Sequence, residues 1–257
     1  MFAVLVGVGA SQAILIIGDW HLRDMDAYWD AGVRLREGAP LYPVLSDPEA
    51  SSIYRYAPWF AWMWVPLTML PRGVVDVLWS AVLLGSSAIA LLPLYRRRAW
   101  TALALFAPVL FVISGIGNAH PLLIAALVHG VERRSGPVWI ALAASLKVVP
   151  ILFVLTYVGR RDWKRAFLTL GLSIVIVAPM LLYDLSAYPG GAGAAGGLIT
   201  WPPVYLLAVG LAAVLAVRLA PSPHGWLASA ATVAVATPRM FVYDVTYLMV
   251  GDPKERG

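Results

Sequence analysis

Apolar stretches that could cross, or partly cross, a bilayer recur along this whole chain, and that repetition limits its fold more than any single motif does. They run at about 2–18, 74–95, 100–117, 119–131, 137–158, 166–183, 204–220 and 226–250. Within hydrocarbon every backbone N–H and C=O must be satisfied inside the protein, so such a chain folds as helices packed on helices. Composition agrees: 60% of residues are apolar, 13% are charged and the mean hydropathy is +0.77, outside the range of soluble globular proteins. The expected fold is an all-α polytopic membrane protein forming a single domain over 1–257. It would hold about eight to ten membrane helices, some of them broken or re-entrant.

The charges between these stretches carry the topology. Arg96-Arg97-Arg98, Arg133-Arg134, the run from Arg160 to Arg165, Arg218, Lys254 and Arg256 hold 12 of the 19 Lys and Arg residues. The positive-inside rule assigns those loops to the cytoplasm. Residues 19 to 49 hold 7 of the 14 acids, so the first loop, 19–72, faces outward and carries amphipathic helices. Phe2 to Gly18 lacks a basic leader and a small-residue cleavage site, and is expected to be an uncleaved first membrane helix. The N- and C-termini are both expected on the cytoplasmic side of the cell membrane. The net charge of +5 follows this topology, with no basic stripe suited to nucleic acid. Without cysteine there is no thiol nucleophile and no thiolate metal site.

Two segments break the simple pattern. Pro58 to Leu70 is too short to span and rich in tryptophan, which suggests a membrane-lying or re-entrant helix with Trp59, Trp62 and Trp64 as an interfacial belt. The stretch 137–158 has basic flanks on both sides and is interrupted by Lys147 and Pro150, so a broken helix that enters and returns is expected. The last stretch, broken at Pro238, reads the same way. The run Gly190 to Gly197 reads as an external loop.

Candidate chemistry starts in the first loop. Asp24 and Asp26 follow the first apolar stretch, where a carboxylate meets lipid headgroups and can act as a general base or, with its neighbour, hold a divalent cation. A lysine inside an apolar stretch is costly and faces a cavity or a counter-charge, which singles out Lys147. Arg55 and His120 are further groups available to an anion, while Arg239 and Asp244 could equally pair with each other.

The run DMDAYWDAGVRLREGAPLY, followed by YRYAPWFAWMWVPLTMLP, resembles the opening of glycosyltransferase family 87 in the GT-C superfamily. It is also similar to the glycosylphosphatidylinositol mannosyltransferase I family, which opens on an acidic D-x-D pair. The segments GNAHPLLIAAL, SLKVVPILFVL and TPRMFVYDVTYL resemble later markers of the first family. The resemblance implies a GT-C-like helical bundle and inverting transfer of a hexose, with mannose the expected sugar. The donor is a polyprenyl-phosphate-linked sugar and the acceptor a lipid or lipid-linked glycan on the outer face. It implies Asp24 as base with Asp26 as its partner, and substrate contacts from Tyr28, Arg55, Tyr56, His120, Lys147, Arg239 and Asp244. Whether Asp24 and Asp26 hold a metal stays open at this level. The alternatives are a transporter or flippase, or a non-catalytic subunit, handling the same lipid-linked sugars.

Overall fold

The computed structural model describes residues 22–43, 53–186, 188, 200–238 and 241–251. Among them every regular element is helical, as the hydropathy pattern requires. The first apolar stretch, the Gly-rich loop and Arg239 lie outside the described residues.

Helix α1 (Arg23–Glu37) is amphipathic, with Asp24 and Asp26 in its first turn, Arg34 and Arg36 in its last, and the left-handed Gly38 ending it. It packs on the short helix α2 (Pro58–Trp64). The approach requires Gly32, where an added Cβ would lie 2.9 Å from Cβ of Trp64. The expected tryptophan belt is only partly present. Trp64 is buried against Tyr28 and Trp79, Trp59 Nε1 donates to Ser145 Oγ at 3.0 Å, and only Trp62 is strongly exposed. At this spacing along α2 one helix face meets α1, so burial falls on Phe60, Ala61 and Trp64 together.

The bundle follows as α3 (Arg72–Arg96), α4 (Trp100–Gly115), α5 (His120–Gly130), α6 (Gly136–Leu146), α7 (Val154–Gly159), α8 (Trp163–Val177), α9 (Pro202–Leu219) and α10 (Gly225–Ala236). Tight 3-10 helices cover Val149–Phe153, Ala178–Leu182 and Val242–Gly251. Among the described residues three helical runs are long and apolar enough to cross a membrane: Arg72–Arg96, Trp163–Leu182 and Pro202–Leu219. Of the stretches that could cross or partly cross, 119–131 is long enough only for the latter, because the 11 residues of α5 rise about 16 Å against a hydrocarbon core of about 30 Å. Prolines sit in the first turn of α2, α5, α6 and α9, where a missing N–H costs nothing. Asp162 caps α8 by accepting from the Arg165 N–H at 3.1 Å. Buried hydroxyls tie the helices where side chains have no water: Ser87 to Ser114 at 3.0 Å, and Thr156 to Ser229 at 2.7 Å.

The stretch 137–158 is indeed broken. Helix α6 ends at Leu146, Lys147 takes an extended conformation, and the chain turns back through Val149–Phe153 into α7. The return is fixed by Tyr157, whose hydroxyl donates to Val131 O at 2.9 Å and lies against Gly136, where the hairpin began. A second hairpin runs up α10, breaks after Ala236 and returns through Val242–Gly251, bringing Gly251 beside Leu227. Both hairpins therefore begin and end at the bundle end that carries the arginine loops. There Arg160 Nε donates to Ala220 O at 2.8 Å, and the turns close through Arg98 and Arg161 at positive φ. Their apices, at Lys147 and Tyr243–Asp244, meet at the opposite end.

This arrangement makes a labelling prediction in a chain that has no cysteine. Single cysteines at positions 97, 134 and 161 should share one accessibility, and positions 47 and 193, outward by the charge pattern alone, the other. Opposite labelling at 134 and 161 would mean that the first hairpin crosses.

Candidate functional site

A cavity of about 440 Å³ lies between the start of α1, the segment 53–57 and the two hairpin apices. Its polar lining is Asp24, Tyr28, Arg55, Tyr56, Asn118, Lys147 and Tyr243, with Ile53, Ile116, Leu146 and Phe241 as apolar wall. Five distant parts of the sequence supply these groups, and each is held for a local reason.

The segment 53–57 is irregular, and its carbonyls are satisfied by tyrosines rather than by a ladder. Tyr188 donates to Arg55 O at 3.1 Å, Tyr42 to Tyr56 O at 2.9 Å and Tyr54 to Ala57 O at 2.7 Å. The Tyr28 and Tyr56 hydroxyls share a hydrogen bond at 3.0 Å, and Tyr28 Oη accepts the Ala119 N–H at 3.1 Å. Burial raises the Tyr56 hydroxyl to about 12, so it stays a neutral hydrogen-bonding group. The Ala57 N–H donates to Ser145 O at 3.3 Å, and with the Trp59–Ser145 bond this fastens Arg55 and Tyr56 to the apex that carries Lys147.

Asp24 enters the cavity from the first turn of α1. Its Oδ2 accepts a short hydrogen bond from Asn118 Nδ2. Burial raises its carboxyl above the ordinary value, opposed by that hydrogen bond and by the charges of Lys147, Arg23 and Arg55. Facing it, Lys147 Nζ lies 3.4 Å from Asp244 Oδ1 and 4.3 Å from the centre of the Tyr243 ring. Asp244 is 1% exposed, and its second oxygen accepts the Phe241 N–H at 2.9 Å, capping the returning 3-10 helix. Arg239, the suggested alternative partner of Asp244, lies outside the described residues, and among those described the cationic partner of Asp244 is Lys147.

The structure does not bring all the expected residues together. Asp26 is two positions from Asp24 on a helix, about 200° around the axis, and points to a separate groove, where its Oδ1 pairs with Arg72 at 2.6 Å. The D-x-D reading needs an extended backbone, and α1 is already helical at Arg23. His120 is buried behind the cavity wall. Its Nε2 lies 2.8 Å from Thr246 Oγ1 and 3.1 Å from Tyr243 O. Thr246 donates its own proton to Tyr243 O at 2.6 Å, so Nε2 carries the proton of the imidazole and His120 braces the second hairpin. Asn118 and Tyr243 are polar cavity residues that sequence reasoning passed over. The signal for Asn118 was the polar G-N-A-H turn between two apolar stretches.

The donor set suits an anion better than a divalent cation, which wants several oxygen ligands. Among the described residues no three carboxylate or imidazole groups converge, and the cavity lining sets one carboxylate against two cationic side chains.

Comparison with known proteins gives one line of similarity. A polyprenol-phosphate-mannose-dependent alpha-(1-2)-phosphatidylinositol pentamannoside mannosyltransferase of Mycolicibacterium smegmatis is 27% identical over a region covering 66% of this chain and 51% of that protein. The chain thus spans about half the length of that relative. No family model matches. No solved structure matches. The chain is an all-α membrane protein with sequence similarity to a polyprenol-phosphate-mannose-dependent mannosyltransferase.

Proposed function

We propose that the chain transfers a hexose, mannose by its similarity, from a polyprenyl-phosphate carrier to a lipid or lipid-linked glycan at the outer face of the membrane. The observation that carries this reading is the pairing, across one cavity, of a buried carboxylate and fixed cationic groups. A glycosyl transfer of this kind needs both: a base for the acceptor hydroxyl and positive charge for the departing phosphate.

In the proposed reaction Asp24 accepts the proton of the acceptor hydroxyl. The oxygen attacks the anomeric carbon as the bond from that carbon to the phosphate oxygen breaks. The electron pair leaves with polyprenyl phosphate, and configuration inverts at the sugar carbon. Lys147 and Arg55 stabilise the leaving phosphate in a site where water is scarce and a fixed charge acts more strongly than in solution. Tyr28 and Tyr56 offer hydroxyls to the sugar. Of the two acids only Asp24 enters the cavity, and the proposed reaction uses it as a base rather than as half of a D-x-D cation site. The arginine loops, cytoplasmic by the positive-inside rule, support an outward-facing position for the opposite, cavity-bearing end.

Broken helices meeting at a charged site are also a transporter device. Here both hairpins return to the same end, where Tyr157 is bonded to Val131 and Arg160 to Ala220, which favours a site open at one end.

The test is reconstitution of the full chain in liposomes with polyprenyl-phosphate mannose labelled in the sugar, together with phosphatidylinositol mannosides. Label appearing in the acceptor lipids, with stoichiometric polyprenyl phosphate and no loss on adding chelator, is the expected result. Movement of labelled carrier between leaflets without transfer would replace the reading with transport. No transfer and no movement would overturn it.

A further inference from the structure

The turn between α4 and α5 is built around Asp24 more closely than packing alone requires. Gly117 takes a φ of +83°, and an added Cβ there would lie 3.1 Å from both Leu22 Cα and Met25 Cβ, so the turn is pressed against the start of α1. Trp79 Nε1 donates to Gly117 O at 2.8 Å and fixes it from α3. The Asp24 N–H donates to Ile116 O at 2.9 Å, so the same turn holds the backbone of Asp24 as well as its side chain.

The next residue, Asn118, is 5% exposed and has its amide orientation determined. Its Oδ1 accepts the His120 N–H at 2.8 Å, which leaves Nδ2, a group that only donates, facing Asp24 Oδ2. A carboxylate fixed through its backbone and through one oxygen cannot rotate freely. Its other oxygen is the one left for the cavity.

We propose that Asn118 is a positioning residue for the reaction: it clamps one oxygen of Asp24 and presents the other to the acceptor hydroxyl. This rests on the reading of Asp24 as the base. The clamp also favours the charged carboxylate, because the donated hydrogen bond is stronger to an anion. It offsets part of the desolvation that pushes the Asp24 carboxyl up. The other groups acting on Asp24 are Arg23 on the same helix, Arg55 from the segment 53–57 and Lys147 at the hairpin apex, with Tyr28 and Tyr56 beside it. The three cationic groups are common to every variant considered, whereas Tyr56, whose hydroxyl also has a hydrogen bond with Asn118, changes with them.

Two variants separate positioning from mere support. Asn118→Ala removes the donor; Asn118→Asp keeps the shape and still accepts the His120 N–H, but sets a second carboxylate against Asp24. A support role predicts that Ala is the more damaging. The clamp predicts the reverse order. Loss of a hydrogen bond to a charged group moves a proton equilibrium by about one unit, or tenfold. The acid limb of transfer should therefore move up by about one unit in Asn118→Ala and further in Asn118→Asp. The KM for polyprenyl-phosphate mannose should stay near wild type while kcat falls about tenfold.

A readout independent of activity is infrared titration of the Asp24 carboxyl in the purified chain, with Asp24→Asn as the blank. The same upward order is expected there. An Asp24 titration that does not move in a folded Asn118→Ala, judged by size-exclusion profile, overturns the inference. So does a folded Asn118→Asp with wild-type titration. If the titration moves as expected but wild type transfers no sugar, the clamp stands and the transferase reading falls.

Discussion

Asp24→Asn is expected to abolish sugar transfer while donor binding remains, because the amide fills the same space but cannot accept the acceptor proton. Loss of a general base costs about 10² to 10⁴-fold, more when the carboxylate also aligns the nucleophile. The structure sharpens the contrast with the neighbouring acid. Asp26 lies outside the cavity, its side chain 53% exposed and paired with Arg72, so Asp26→Asn should leave kcat near wild type and stability within about 1 kcal/mol. The assay is transfer from polyprenyl-phosphate mannose by the purified chain, with donor affinity measured separately. Full activity in Asp24→Asn, or equal losses in both variants, would sink the assignment. Wild-type transfer should also fall as pH drops through the raised Asp24 value, since only the deprotonated form is a base. Its acid limb therefore belongs above the ordinary carboxylate range.

The second large effect is expected at Lys147, and its direction depends on the tertiary partner. From sequence, Lys147→Met relieves the cost of an intramembrane charge and should harm donor use more than folding. In the structure the ammonium answers Asp244, a carboxylate with 1% of its side chain exposed. Removing one member of a buried pair strands the other, a loss of about 3 to 5 kcal/mol. Lys147→Met alone should thus lower expression and thermal stability in detergent. The double variant Lys147→Met with Asp244→Asn should recover stability, because the stranded charge is gone, but not donor affinity. Lys147→Arg should keep both in part, since it retains the charge. A Lys147→Met protein as stable as wild type would mean that Asp244 does not depend on it. Recovered donor affinity in the double variant would remove Lys147 from the phosphate site.

Much of the fold was legible because the bilayer imposes one rule on every residue. Long apolar runs must be helices, and the position of arginines orders them. The break at Lys147 and Pro150 could be read locally too. A lysine and a proline both disfavour a continuous membrane helix, and basic flanks on both sides ask the segment to return. The site was legible to the extent that intramembrane charges are expensive: Asp24, Arg55 and Lys147 were singled out on that ground or by the resemblance, and all three line the cavity.

What could not be read was facing. Asp24 and Asp26 look equivalent in a linear string, but once α1 begins at Arg23 they diverge around its axis, one into the cavity and one to Arg72. His120 carries a functional residue type, yet the returning 3-10 helix covers it and uses it as a brace. Asn118 carries no charge and so gave no cost signal, though only the fold brings it onto Asp24 across 94 residues. The sequence by itself determined the solvent, the helical class, the broken segments and the pool of costly charges, because each follows from local composition against the hydrocarbon. Which of those charges share a cavity was decided by the tertiary structure alone. The Ser145 contacts that bring the Arg55 segment to Lys147, the apex-to-apex meeting of two hairpins and the clamp on Asp24 all depend on packing between residues far apart in the chain.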